Sequence, residues 1–179
     1  MTFTTSTLLG LGNEEFEVDF VAWLQPDQWE ARESPALVIG EAKSLGRGDL
    51  YHRSDFAKLR SVAKRLPGAT IVVAVLRENF TNNEKALLKQ FVLWGRRPDK
   101  RLQPTNPVVL LTGHELLFDM HVSEKWKSLG EPYSKFADFE VTNDMGRFAE
   151  ATQAIHLGLP SYYEWLTAKM RRRSKAPRS

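Results

Sequence analysis

The segment Ile71-Val72-Val73-Ala74-Val75-Leu76 is an unbroken apolar run, mostly β-branched, with no polar position to turn toward water. A strand with one solvated face alternates polar and apolar residues, so an apolar run of strand length reads as a strand covered on both faces. That requires a sheet with helices on either side. Ala36-Leu37-Val38-Ile39 and Val108-Val109-Leu110-Leu111 repeat the pattern in shorter form.

The segments between these runs supply the helices. From Ser54 or Asp55, either of which could cap a helix, the residues Phe56, Leu59, Val62, Ala63 and Leu66 recur at helical spacing until Pro67-Gly68. Thr81-Asn82-Asn83-Glu84 has the form of a capping box and opens a helix running to about Trp94. After the Pro-broken loop from Gly95 to Pro107 come the strand from Val108 to Leu111 and helical sequence from about Glu115. A helix from about Asp144 to Leu157, a stop at Gly158 and a further helix from about Pro160 complete the chain. Upstream, Thr4 to Leu11 and Glu15 to Leu24 are expected to pair as a hairpin across Gly12-Asn13, and Ala36 to Lys43 to form the next strand, leaving through the glycine-rich Ser44 to Gly48. The sum is an α/β domain with a mixed central sheet flanked by helices. One domain is expected over residues 1–168, with a core at about 15–112, a helical part at about 113–168, and a basic, disordered tail at 169–179.

Composition narrows the chemistry. The chain has no cysteine, so thiolate metal sites and disulfides are excluded, and a catalytic metal would rest on carboxylates, histidines or backbone oxygens. Such donors favour Mg2+ or Mn2+. No apolar run approaches membrane length and no signal core opens the sequence, so a cytoplasmic protein without a membrane partner is expected. The net charge of +3 is misleading as a sign of nucleic-acid binding. Six of the 25 basic residues lie between Lys169 and Ser179 with no acidic residue among them, so the rest of the chain is mildly acidic.

Chemistry concentrates at the end of the third strand. Glu41 and Lys43 are two residues apart, which puts both side chains on one face of the sheet. Asp19 lies in the strand Phe16-Glu17-Val18-Asp19-Phe20 among residues suited to burial, where a carboxylate needs a partner. A divalent ion between Asp19 and Glu41, with the backbone carbonyl of Ala42 as a third oxygen, would satisfy both carboxylates, and Lys43 would face the polarised water. Such a set suits phosphodiester hydrolysis. On spacing alone, a strand-end ion pair of Glu41 with Lys43 and a surface carboxylate at Asp19 explain the same residues.

Asp19 in a strand, Glu41-Ala42-Lys43 closing an apolar strand 22 positions later, then a helix and another apolar strand, resemble the PD-(D/E)xK, restriction-endonuclease-like superfamily over about residues 15–112. The resemblance implies that Asp19 and Glu41 bind the metal and that Lys43 completes the catalytic set. It also implies a DNA substrate, with RNA as the alternative, and for many bacterial members a role in defence against foreign DNA. No proline precedes Asp19, and the chain opens on a strand where the family core usually begins with a helix that can supply a further acid. Glu15 and Glu17, on the same strand face as Asp19, could contribute, though solvated carboxylates are the simpler account.

Secondary candidates for gripping phosphates are Arg47, His52, Arg53 and Lys58 after the third strand, and Arg171, Arg172 and Arg173 in the tail. Asp55 suits a helix cap better than a ligand. His114, Glu115 and His121 lack the spacing of a zinc motif, and no phosphate-binding glycine loop, dinucleotide fingerprint or nucleophile elbow is present. Tyr162, Tyr163 and Trp165 fit a packing seam better than a base-stacking platform. A silent nuclease-like module that binds nucleic acid or protein is the alternative function, and an α/β interaction domain with a structural ion pair is a third. A homo-oligomer, or a place in a larger assembly, is compatible with the sequence.

Overall fold

The structure, a computed structural model, describes residues 2–11, 13–24, 36–44, 50–116, 121–137 and 145–174. Five strands, β1 (Thr2–Leu11), β2 (Glu14–Leu24), β3 (Ala36–Lys43), β4 (Thr70–Val75) and β5 (Val108–Leu111), form one sheet in sequence order. The pairs β1–β2 and β2–β3 are antiparallel, whereas β3–β4 and β4–β5 are parallel. This is the expected mixed α/β sheet. Gly12, in the expected hairpin turn, and residues 45–49, in the glycine-rich exit, lie outside the described residues.

Helices α1 (Arg53–Arg65) and α2 (Asn82–Gly95) provide the parallel crossovers. Their apolar stripes, Phe56, Leu59, Val62 and Ala63 from α1 and Leu88, Phe91 and Val92 from α2, pack with Ile39, Ile71, Val73 and Val75 on one face of the sheet. The short α3 (Gly113–Leu116), α4 (Val122–Leu129), α5 (Met145–Leu157) and α6 (Tyr162–Ser174) follow. Ala149 of α5, joined by Phe148, covers Val38, Val72, Ala74 and Val109 on the opposite face. All six residues of β4 are buried, as an apolar run between two helical layers must be.

The helix starts reflect orphan backbone donors finding acceptors. Glu84 takes the Thr81 amide at 2.8 Å while the Thr81 hydroxyl takes the Glu84 amide at 3.3 Å, as the capping box predicts. Thr112 with Glu115 and Ser161 with Glu164 repeat the contact from carboxylate to cap amide at α3 and α6. For α1, the expectation of Ser54 or Asp55 as the cap is corrected. The N-cap is His52, and Asp55, three residues into the helix, accepts the His52 amide at 2.7 Å. Tyr51 precedes the cap and its ring stacks on Phe56 at 5.4 Å, forming a hydrophobic staple that fixes how the chain enters α1.

The C-terminal expectation is also corrected, because α6 continues to Ser174 and the first residues of the supposed tail are helical. Lys and Arg are good helix formers, and cations near a helix C-terminus complement its dipole. The Lys169 ammonium lies 4.6 Å from the centre of the Trp165 ring one turn earlier, which anchors the extension. In the expected aromatic seam, Tyr162 is buried, Trp165 is half-buried and Tyr163 is 78% exposed, so Tyr163 takes no part in it.

Candidate active site

Glu41 and Lys43 occupy the C-terminal end of β3 in register with Val73 and Val75 of β4. Those valines are fully buried in the cluster beneath α1 and α2, so the charged pair closes the rim of that apolar layer. The Lys43 Nζ donates to Glu41 Oε1 at 3.1 Å, and neither side chain exceeds one-fifth exposure. Burial raises the Glu41 pKa; the hydrogen bond from Lys43 opposes the rise, the nearby negative charge of Asp19 adds to it, and the net shift is upward.

Asp19 is the next residue of β2, and Glu41 the next of β3, beyond the paired Phe20 and Gly40. There the ladder opens, and Asp19 Oδ2 accepts the Ala42 amide at 2.7 Å, standing in for a ladder carbonyl. The alternation of β2 also breaks here. Val18 and Val21, three residues apart, both join the core beneath α1 and α2, whereas Phe20 and Ala22 face the layer of α5. The break turns a strand carboxylate toward the end of β3. It also removes the parity argument that placed Glu15 and Glu17 beside Asp19, and both are exposed. Gly40 makes the arrangement possible, since a Cβ there would collide with the Phe20 ring and lie 2.8 Å from the Val72 carbonyl.

Sequence reasoning missed the support behind this rim. The buried Tyr51 hydroxyl lies within hydrogen-bond distance of the Glu41 and Ala74 carbonyls and so ties the ends of β3 and β4 together. Its ring lies 5.6 Å from the Lys43 ammonium. Burial, reinforced by the Glu41 charge, pushes the phenol pKa well above its ordinary value, which keeps Tyr51 a neutral donor. Tyr51 is held in turn by Glu84, whose carboxylate accepts its amide at 3.0 Å and the Arg77 guanidinium at 2.8 and 3.2 Å. Burial alone would raise the Glu84 pKa. Arg77, the Tyr51 and Thr81 amides and the Thr81 hydroxyl outweigh burial and bring it to about 2. The spacing of an aromatic five residues before Phe56 was the available sign of the staple, but nothing local signals a bond between residues 33 apart.

The remaining candidates scatter. Arg47 lies outside the described residues. His52 and Arg53 are exposed at the start of α1, His52 as its N-cap and Arg53 as its first residue. Lys58 is exposed seven positions before Arg65, and Arg65 pairs with Glu14 of β2 at 2.8 Å. Helical spacing therefore turns Lys58 toward the β1–β2 hairpin. Asp55 is part of the α1 cap, yet its charge adds to the upward pressure on the Glu41 pKa. Arg171 and Arg172 are exposed on the last turns of α6; the Arg173 side chain lies outside the described residues. Glu115, from the discarded zinc reading, is buried and accepts the Thr112 amide and the Trp126 indole N–H.

Among the described residues, no three His, Cys, Asp or Glu side chains converge in a way that could hold a metal. No helix there is long and apolar enough to cross a membrane. No protein-family model and no curated protein matches the chain. Among solved structures it is similar to the MspJI restriction endonuclease in complex with a 27-mer oligonucleotide, at 15% identity and a TM-score of 0.34. That match covers 92% of this chain and 31% of the other, so this chain spans about a third of that protein's length.

Proposed function

We propose that this chain is a metal-dependent nuclease that hydrolyses phosphodiester bonds in DNA, using Asp19, Glu41 and Lys43. The observation that carries the reading is the meeting of the three at one rim. Glu41 is held against Lys43 at 3.1 Å, and Asp19 reaches across from β2 to the next amide of β3.

The donor set fits a hard cation. Asp19 uses Oδ2 for the Ala42 amide and keeps Oδ1; Glu41 adds a second carboxylate; and the Ala42 carbonyl projects to the same side of the strand as its amide. Two carboxylates and a carbonyl, completed by water, suit Mg2+ or Mn2+, which commonly bind through one or two carboxylates. A bound ion of this kind supplies acidified water and charge compensation at the phosphate. The side chains do the rest. Lys43 brings a fixed positive charge to orient the attacking water or offset the charge that builds on the phosphate, and Tyr51 fixes the backbone from which Glu41 projects.

A silent binding module would keep the same contacts, so activity must decide. The folded protein is incubated with supercoiled, linear and single-stranded DNA and with RNA, with and without Mn2+. The expected result is Mn2+-dependent cleavage of DNA that EDTA abolishes; conversion of supercoiled DNA to nicked or linear forms would identify internal cutting. Failure to cut any of the four substrates with either Mn2+ or Mg2+ would overturn the proposal.

A further inference from the structure

Most buried or half-buried arginines here have matched acceptors. Arg77 pairs with Glu84, and Arg96 donates to Gln153 and to the Pro160 carbonyl. Arg60, and the exposed Arg97 beside it, differ in having no carboxylate; the Arg97 Nε donates only to the Trp94 carbonyl, at 3.1 Å. The Arg60 guanidinium lies 5.2 Å from the Trp94 ring centre and 5.9 Å from that of Phe91, and the Arg97 guanidinium lies 5.0 Å from Trp94. Two cations thus share one indole, and no carboxylate among the described residues pairs with either. The Arg60 Nε is buried without a hydrogen-bond partner, as are the Arg77 Nε and one terminal nitrogen of Arg96, but only Arg60 of the three has no acceptor among the described residues for the rest of its guanidinium. Burial, and then the charge of Arg97, lower the Arg60 pKa, as expected for like charges held together without a counter-ion.

Arg60 opens into a groove of 410 Å³ between α1 and α2, lined by Arg53, Phe56, Ala57, Arg60, Leu87 and Gln90. The lining has no acidic side chain. Arg53 and Arg60 are seven residues apart on one helix face, hence about 10 Å along the axis. The groove is joined to the rim of the candidate active site through the core, because Phe56 in its wall stacks on the buried Tyr51 and Tyr51 reaches the Glu41 carbonyl.

We propose that the α1–α2 groove, with the stacked guanidiniums of Arg60 and Arg97, binds the phosphate backbone of DNA leading away from the Glu41–Lys43 rim. This rests on the nuclease reading for the identity of the polyanion. Planar guanidiniums form paired hydrogen bonds to phosphate oxygens, and stacking on an indole holds them ready without quenching their charge. Contacts of this kind are indifferent to sequence and sensitive to salt.

The test measures binding of a fluorescently labelled 20-base-pair duplex in EDTA, where no metal-dependent cutting occurs, across a salt series. Arg60→Gln/Arg97→Gln should weaken binding at least tenfold at 100 mM salt and flatten the slope of log affinity against log salt by about two, nearly one per lost phosphate contact. Arg97→Gln alone, at an exposed position, should flatten it by about one; it serves as the readout if the double variant does not fold. Unchanged affinity and slope in a folded variant would overturn the proposal. Equal competition by polyglutamate of matched charge would also overturn it, in favour of an acidic protein partner. The two readings fail separately: DNA held by the wild type but never cut removes the nuclease and keeps the groove, whereas undiminished binding and cutting by the double variant remove the groove and keep the nuclease.

Discussion

Lys43→Ala should leave a folded protein that still binds Mn2+ but cuts DNA more slowly by about 10²- to 10³-fold, the scale of losing one electrostatic stabiliser of a transition state. Folding should survive because Lys43 lies at the rim, partly exposed, and the core beneath it is closed by Val73 and Val75. Metal binding should survive because Lys43 donates a positive charge and no ligand oxygen. Its removal relieves repulsion of the incoming cation, although the Glu41 pKa, now without the opposing hydrogen bond from Lys43, rises further. Single-turnover cleavage with saturating Mn2+ reads the rate, and calorimetry reads the metal. Wild-type cleavage by the variant would remove Lys43 from the chemistry and leave it as the partner of a structural ion pair.

Glu84→Gln should cost the fold about 3 kcal/mol, within the range for breaking a buried charge pair, and lower the melting temperature by roughly 6 to 12 °C in a chain of this size. Glu84 is almost fully buried and accepts from Arg77, Thr81 and the Tyr51 amide at once. A glutamine offers a single acceptor oxygen and leaves Arg77 without its counter-charge. The pH dependence has a definite sign. The folded-state pKa of about 2 lies below the ordinary 4.5, so the Glu84 contribution is present above pH 4.5 and is lost as pH falls from 4.5 toward 2. Wild-type stability should therefore fall more steeply over that window than that of Glu84→Gln, as thermal melts at pH 5, 4 and 3 would show. Parallel curves would mean that the ion pair contributes little.

The sheet and its helices were legible because their causes are local. An apolar run at Ile71 to Val75 admits few arrangements, and Thr81 with Glu84 marks a helix start within four residues. The pairing of Glu41 with Lys43 followed from the period of a strand. Period-two reasoning failed at Asp19, where a break between Val18 and Val21 turns the carboxylate toward β3, because that break is set by pairing with other strands. Tyr51 and Arg60 were illegible for a related reason. Their partners, Glu84 and Trp94, lie on α2, and although Tyr51 stands where a staple would put it, nothing local links either residue to that helix. The α6 extension was misjudged because a basic run was read as solvated chain, when helix propensity and the contact of Lys169 with Trp165 carry it onward.

The metal pair itself is tested most directly by the effect of Mn2+ on thermal stability in the wild type and in Asp19→Asn. An asparagine keeps an oxygen that can accept the Ala42 amide, so the variant should fold, and it loses a charge that repels Glu41. If Asp19 and Glu41 hold the ion, Mn2+ should raise the wild-type melting temperature by linkage, and less at pH 5 than at pH 7, because a proton competes for the raised-pKa Glu41. Asp19→Asn should lose most of that increase while its metal-free form melts at or above the wild-type temperature. No response to Mn2+ in the wild type, together with a metal-free Asp19→Asn that is strongly destabilised, would contradict the account and leave Asp19 as a residue that only closes the end of the β2–β3 ladder.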